Sequence, residues 1–226
     1  MLRIDIITVV PELLDSPLSY SIPGRAVKKG LAQIHVHNLR EYGLGSRRTL
    51  DDYSYGGDAG MVMMVEPVYN CIRDLQAQRP YDEVIYMAPD GEILTQGIAN
   101  ELSLKENLII LCGHYKGIDE RIREHLVTRE ISVGDFVVSG GEIPAALLAD
   151  AIIRLVPGVL TDETSALSDS FQDGLVSPPV YTRPAEFNGW TVPEVLLSGN
   201  PRLIQAWQDE QALARTRERR PGLLEK

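Results

Sequence analysis

Four short apolar runs, each five to seven residues long, constrain this chain more than any other feature: Ile4 to Val10, Ala32 to His37, Glu83 to Ala88 and Leu108 to Cys112. Runs of that length, with β-branched residues and no strict alternation, read as strands buried on both faces. Segments with helical spacing lie between them, notably Glu66 to Gln78 and Ile118 to Leu126. Strands alternating with helices predict an α/β fold, a mainly parallel sheet with helices on both faces. Pro67 suits the first turn of a helix, and Pro11 closes the first strand. Glu142 to Leu155 (EIPAALLADAIIRL) is the most apolar helical segment and belongs deep in the core or against a partner.

The character of the chain changes after that helix. Thr161 to Pro179 carries Ser, Thr, Asp and Pro with few large apolar residues, which is the composition of a linker. Beyond it, Pro193 to Leu197 and Pro201 to Arg219 read as helices, with Asn200 placed to cap the second. The expected organisation is an α/β domain over 1–160, a flexible linker over 161–176 and a small helical domain over 177–226.

Charge argues two ways. With 22 Lys and Arg against 32 Asp and Glu, the net charge of -10 disfavours a polyanion partner for the surface as a whole. The basic residues are nevertheless clustered. Arg25, Lys28, Lys29, Arg40, Arg47 and Arg48 share their stretch with one acid, Glu41, and Arg215, Arg217, Arg219 and Arg220 fall within six residues. Such islands are either solvated faces or local grips on a nucleic acid. Cys71 and Cys112 form no C-x-x-C pair and read as reduced, buried thiols. Asp5 interrupts the apolar start, no small-residue cleavage site follows, and no run approaches the ~18 apolar residues of a membrane span. The expectation is a soluble, cytoplasmic protein.

Glycines gather at the ends of the expected strands: Gly56-Gly57 with Gly60, Asp90-Gly91, Gly113 with Gly117, and Gly134 leading to Gly140-Gly141. Any one cluster is accounted for by a tight turn. Four of them mark the edge where open α/β sheets bind ligands. No G-x-G-x-x-G follows the first strand, and no G-x-x-x-x-G-K-[ST] occurs, which excludes the usual dinucleotide and P-loop sites.

Longer motifs carry a resemblance. Cys112-Gly113-His114-Tyr115-Lys116-Gly117-Ile118-Asp119-Glu120-Arg121 resembles the C-G-R-Y-E-G-[IV]-D-E-R signature of bacterial tRNA (guanine-37-N1) methyltransferases. Ser132 to Glu142 (SVGDFVVSGGE) is similar to that family's S-I-G-D-[YF]-V-L-S-G-G-E. Arg48 to Asp52, Gly60 to Met63, Pro157 to Leu160, Tyr181 to Pro184 and Leu196 to Asn200 match further family segments in order.

The resemblance implies a SPOUT-class fold with a deep trefoil knot, a form that general folding rules would not suggest. It implies S-adenosylmethionine as methyl donor, with Tyr86, Pro89 and Gly91 on one wall of the site and Gly113 and Tyr115 on a second. Val133, Gly134, Asp135, Phe136, Val137, Val138, Gly140, Gly141 and Pro144 form the third. It implies a homodimer with a composite active site, the tRNA anticodon stem-loop as partner, and Asp169 and Arg154 as the catalytic pair. By composition alone, Asp169 is a solvated linker carboxylate and Arg154 a residue that complements a helix C-terminus.

The chain departs from the pattern in places. Asp58-Ala59 stand in the Gly56 to Gly60 loop, and His114 and Lys116 replace the usual Arg and Glu. The resemblance also brings in magnesium as an assisting ion. Lys116 reverses a charge beside the cofactor site and argues against its being held as in relatives. Two other classes compete: a sibling SPOUT enzyme methylating an RNA ribose 2′-hydroxyl, and an RNA-binding protein without catalysis.

Overall fold

The computed structural model describes residues 1–57, 59–160 and 169–225. It divides into two compact units, Met1–Thr161 and Asp162–Lys226. The first is built on five parallel strands, β1 (Leu2–Thr8), β2 (Ala32–Asn38), β5 (Glu83–Ile93), β6 (Asn107–Cys112) and β7 (Arg129–Ser132), in the order β2-β1-β6-β5-β7. A short antiparallel hairpin, β3 (Asp51–Tyr53) with β4 (Met61–Met63), stands apart from it. The sheet is α/β and parallel, as the alternation of runs requires.

Period-two alternation distributes the strand side chains between two cores. Ile4 and Ile6 of β1 join Ile85, Met87, Leu108 and Ile110 on one face. Ile7, Val84, Tyr86, Ile109 and Leu111 lie on the other. The first face is covered by α6 (Glu142–Ile153), against which α1 (Glu12–Ser19), α2 (Ser21–Lys28) and α4 (Gln96–Ser103) pack. Sheet and helices bury most of α6, while Ile143 and Leu147 leave one apolar strip of it exposed. Helix α3 (Val65–Gln78) covers the second face through Val68, Cys71, Ile72 and Leu75, joined by Ile122 of α5 (Glu120–His125). Burying each such side chain contributes about 1.5–3 kcal/mol. No helix among the described residues is long and apolar enough to cross a membrane.

Several details differ from the sequence expectation. The first strand ends at Thr8, because Val9 and Val10 already lead into Pro11, which caps α1. Strand β5 does not stop at Ala88. It shifts register between Met87 and Glu92 and goes on pairing with β7 to Ile93. Gly91 permits this: a Cβ there would lie 2.6–2.7 Å from the Glu130 and Ile131 backbone. Helix α5 starts two residues later than Ile118, where the Asp119 side chain accepts from Arg121 N at 3.0 Å.

In the second unit, α7 (Glu194–Leu197) and α8 (Pro201–Arg219) match the expected helices. The Asn200 side chain caps α8 by accepting from Arg202 N and Leu203 N. A small hairpin, β8 (Glu186–Phe187) with β9 (Trp190–Thr191), was not foreseen. Of the segment expected as linker, 161–168 lies outside the described residues. Residues 169–177 form a closed loop, in which Phe171 N donates to Leu175 O (2.7 Å) and Val176 N to Thr216 Oγ1 on α8 (2.9 Å).

Candidate functional site

A cavity of about 520 Å³ opens beyond the carboxyl ends of β5, β6 and β7, at the sheet edge where α/β proteins place ligands. Its volume is that of a small-molecule site. Of the residues the sequence assigned to a cofactor, Tyr86, Pro89, Gly113, Tyr115, Val133, Phe136, Val137, Val138, Gly140, Gly141 and Pro144 line this one cavity. Three do not line it. Gly91 serves the β5–β7 approach described above, and Asp135 sits in the 133–139 loop away from the wall. Gly134 has φ +147° with the Phe136 ring packed where its Cβ would be. Ser132 Oγ fixes that turn, donating to Gly134 O (3.0 Å) and accepting from Gly134 N (3.2 Å).

The glycines matter because they can offer a wall nothing except main chain. At Gly141 a Cβ would lie 2.7 Å from Cys112 Cα and 2.9 Å from Gly113 N, so the start of α6 presses directly on the end of β6. Gly141 N donates to Gly113 O at 2.9 Å across the same contact. At Gly113 a Cβ would meet the Tyr86 ring at 2.8 Å. Gly140 leaves room for a polar pair: His114 Nε2 lies 2.8 Å from Glu142 Oε2, and either would collide with a side chain there. Glu142 is fully buried, and its other oxygen accepts from Thr8 Oγ1 at 2.5 Å. Three segments far apart in sequence are thus tied together at the cavity floor.

Sequence reasoning set Lys116 beside the site and singled out His114, but missed the other charged residues of the wall, Asp90, Glu120 and Arg123. Arg123 donates to Glu130 Oε1 (2.8 Å) and Asp90 Oδ2 (2.7 Å), and lies 3.8 Å from Glu120. Hydrogen bonds to Glu130 and Asp90 hold its guanidinium well above the usual arginine range. The Arg123 bond in turn lowers Asp90. Arg123 also stands over the Tyr86 ring, 5.7 Å from its centroid. Burial pushes the Tyr86 phenol up to about 12, so it is a neutral hydrogen-bonding group at any working pH. The Cys112 thiol is buried and raised by desolvation and the nearby Glu142, which makes it a packing residue and no nucleophile.

Arg154 and Asp169 belong to different units. Arg154 caps the C-terminus of α6, half-buried, with its N–H donating to Asp150 O at 3.2 Å. Asp169 is half-buried at the mouth of a groove of about 480 Å³, with Asp173, Gln205, Gln208 and Asp209 among its lining. All six basic residues between Arg25 and Arg48 are exposed. The C-terminal arginines divide. Arg215 donates to Ser177 O (3.3 Å) and Arg220 stacks on Phe171 (5.4 Å), while Arg217 and Arg219 are exposed. Among the described residues no group of three or more His, Cys, Asp or Glu is placed to hold a metal ion. Lys116 brings a positive charge to the lining of the cavity, which opposes a second cation beside it.

Comparison with known proteins agrees with the motifs. The family model described as tRNA (Guanine-1)-methyltransferase TrmD matches residues 2–226. The chain is 61% identical to a tRNA (guanine-N(1)-)-methyltransferase of Bacteroides fragilis, over 99% of this chain and 100% of the relative. It is 59% identical to one of Flavobacterium johnsoniae, over 99% of each. With one of Cytophaga hutchinsonii it shares 60%, over 100% of this chain and 96% of the relative.

Proposed function

This chain belongs to the tRNA (Guanine-1)-methyltransferase family, and we propose that it transfers a methyl group from S-adenosylmethionine to N1 of guanosine 37 in tRNA, just 3′ of the anticodon. The observation that carries the reading is the cavity at the ends of β5, β6 and β7. Eleven residues assigned from motifs 58 positions apart converge on it, and its glycine walls can offer main-chain N–H and C=O groups to an adenosine. Tyr86, Gly113, Gly140 and Gly141 are the residues that would hold the donor. When bound, it supplies an electrophilic methyl on a sulfonium. The trefoil knot implied by the sequence motifs is part of this reading.

Guanine N1 carries a proton at neutral pH and is a poor nucleophile until that proton leaves. Asp169 accepts it, a role usually worth ~10²–10⁴ in rate. A carboxylate is a weak base toward guanine, so the N1–H itself must be made more acidic. Arg154, permanently charged and fork-shaped, stabilises the negative charge that moves to O6 as the proton leaves.

The site is completed by a second copy of the chain. Phe136, Val137, Val138, Ile143 and Leu147 are exposed within twelve residues of the cavity wall and α6, an apolar stretch that a lone soluble protein rarely leaves uncovered. The basic residues from Arg25 to Arg48 hold the anticodon stem-loop, and the enzyme works in the cytoplasm.

The test is a radiolabelled-methyl assay on unmodified tRNA followed by nucleoside analysis. The expected product is N1-methylguanosine. A 2′-O-methylated nucleoside would favour the sibling SPOUT chemistry, and no transfer would leave an RNA-binding protein.

A further inference from the structure

Two cations line the cavity, and only one is spoken for. Arg123 is held by Asp90, Glu130 and Glu120. His114 is held by Glu142. Lys116 makes no ion pair with any described residue. Its position is nevertheless firmly built. The Lys116 N–H donates to Met61 O on β4 (3.0 Å), and the next residue's carbonyl, Gly117 O, accepts from Met63 N (3.0 Å). Residues on both sides sit in the left-handed region, Tyr115 at φ 60° and Gly117 at φ 124°, a conformation a non-glycine residue keeps only where the surroundings impose it. The lysine stem lies against Gly60: a Cβ there would come within 3.0–3.1 Å of Lys116 Cγ, Cδ and Cε. Backbone and stem are therefore held in place, and Lys116 lines the cavity with no ion-pair partner among the described residues.

We infer that Lys116 binds the α-carboxylate of the methyl donor. This rests on the assignment of S-adenosylmethionine to the cavity. A donor with an adenosine, a sulfonium and an amino-acid tail offers one anionic group, and Lys116 is the one uncompensated cation among the described residues of the wall. Carboxylates at Asp90 and Glu120 make the rest of that wall unfavourable for the tail's negative end, so the lysine also sets which way the tail points. Lys116 is thus a positioning residue for the donor and takes no part in moving the proton.

Isothermal titration calorimetry of the full-length protein with S-adenosylmethionine and with decarboxylated S-adenosylmethionine tests this, comparing wild type with Lys116→Gln. The lysine is exposed, so the interaction is screened and the expected effect is modest, about three- to tenfold in Kd. Lys116→Gln should weaken S-adenosylmethionine by that factor and leave the decarboxylated compound unchanged. The loss should shrink with added salt. Equal weakening of both compounds, or of neither, would overturn the assignment. So would an unchanged donor Kd with a raised tRNA KM, which would make Lys116 a phosphate contact, or with a lowered kcat, which would place it on guanine O6. If wild type binds neither compound, the donor assignment itself fails, and that outcome is distinguished by the wild-type titration alone.

Discussion

Gly141→Ala puts the main-chain architecture of the cavity to a quantitative test. The added methyl would lie 2.7 Å from Cys112 Cα, 2.9 Å from Gly113 N and 3.1 Å from Cys112 Cβ. Ordinary contact begins near 3.4 Å, so α6 must withdraw from β6 by about 0.7 Å, stretching the Gly141 N–Gly113 O bond. Overpacking of this kind costs ~1–3 kcal/mol. For a chain of this size that is a fall in Tm of roughly 3–10 °C, readable by differential scanning calorimetry. Gly140 and Gly113 move with the helix start, and shifts of about 1 Å in a reacting site can cost ~10²-fold, so donor affinity should drop at least about tenfold. Gly222→Ala, where nothing lies within 4 Å and φ is not positive, is the control and should leave both readings unchanged. A Gly141→Ala protein that melts within a degree of wild type and binds donor normally would refute the claim that this contact shapes the cavity.

Asp169→Asn should abolish methyl transfer while donor affinity, measured by calorimetry, stays within a few-fold; near-normal turnover would remove Asp169 as the base. Arg154→Ala should lower kcat more than it raises the tRNA KM, because the charge it meets develops on the way to the transition state; a change confined to KM would make it a docking residue. Asp5 is buried in β1, and burial alone would raise its carboxyl. Hydrogen bonds from His37 (2.7 Å), Arg3 (2.7 Å) and Tyr81 (2.8 Å) outweigh that and hold it below the usual carboxylate range. A depressed pKa adds stability above the unfolded value near ~3.9, and that stability is lost as pH falls through the folded value. Asp5→Asn should therefore cost about 3 kcal/mol at neutral pH, with the gap to wild type narrowing below pH ~4; parallel curves of Tm against pH would contradict it.

The fold class was legible because its strands are buried on both faces and its helices are spaced between them. What escaped the sequence has identifiable causes. Strand β7 is the four residues Arg129-Glu130-Ile131-Ser132, too short and too polar to signal itself; it pairs with Ile85–Met87 and, past the bulge that Gly91 permits, with Glu92 and Ile93. The β8–β9 hairpin did carry a signal: Asn188-Gly189, at φ 50° and 78°, is the dipeptide that a tight hairpin turn favours. Eleven of the residues that the motifs assigned line one cavity. Its ion pairs were not legible, since Arg123 gathers Asp90 from β5 and Glu130 from β7; nor was the buried Thr8–Glu142 bond, which spans 134 positions.

The same residues explain how a chain of net charge -10 can act on RNA. Some of its acids are engaged internally: Asp5, Asp90, Glu130 and Glu142 hold arginine, histidine or threonine partners. The basic residues of 25–48 are all exposed, so along that stretch the surface is far more positive than the composition suggests. The C-terminal run behaves differently. Arg215 and Arg220 are engaged in closing their own unit onto the 169–177 loop that carries Asp169. Arg217, Arg219 and Arg220 stand exposed without an ion pair among the described residues, Arg220 over the Phe171 ring, while Arg215 is half-buried. Phosphate contacts position a nucleic acid without reading it. On the reading proposed above, a grip concentrated on the 25–48 stretch would therefore leave the choice of base to other parts of the chain.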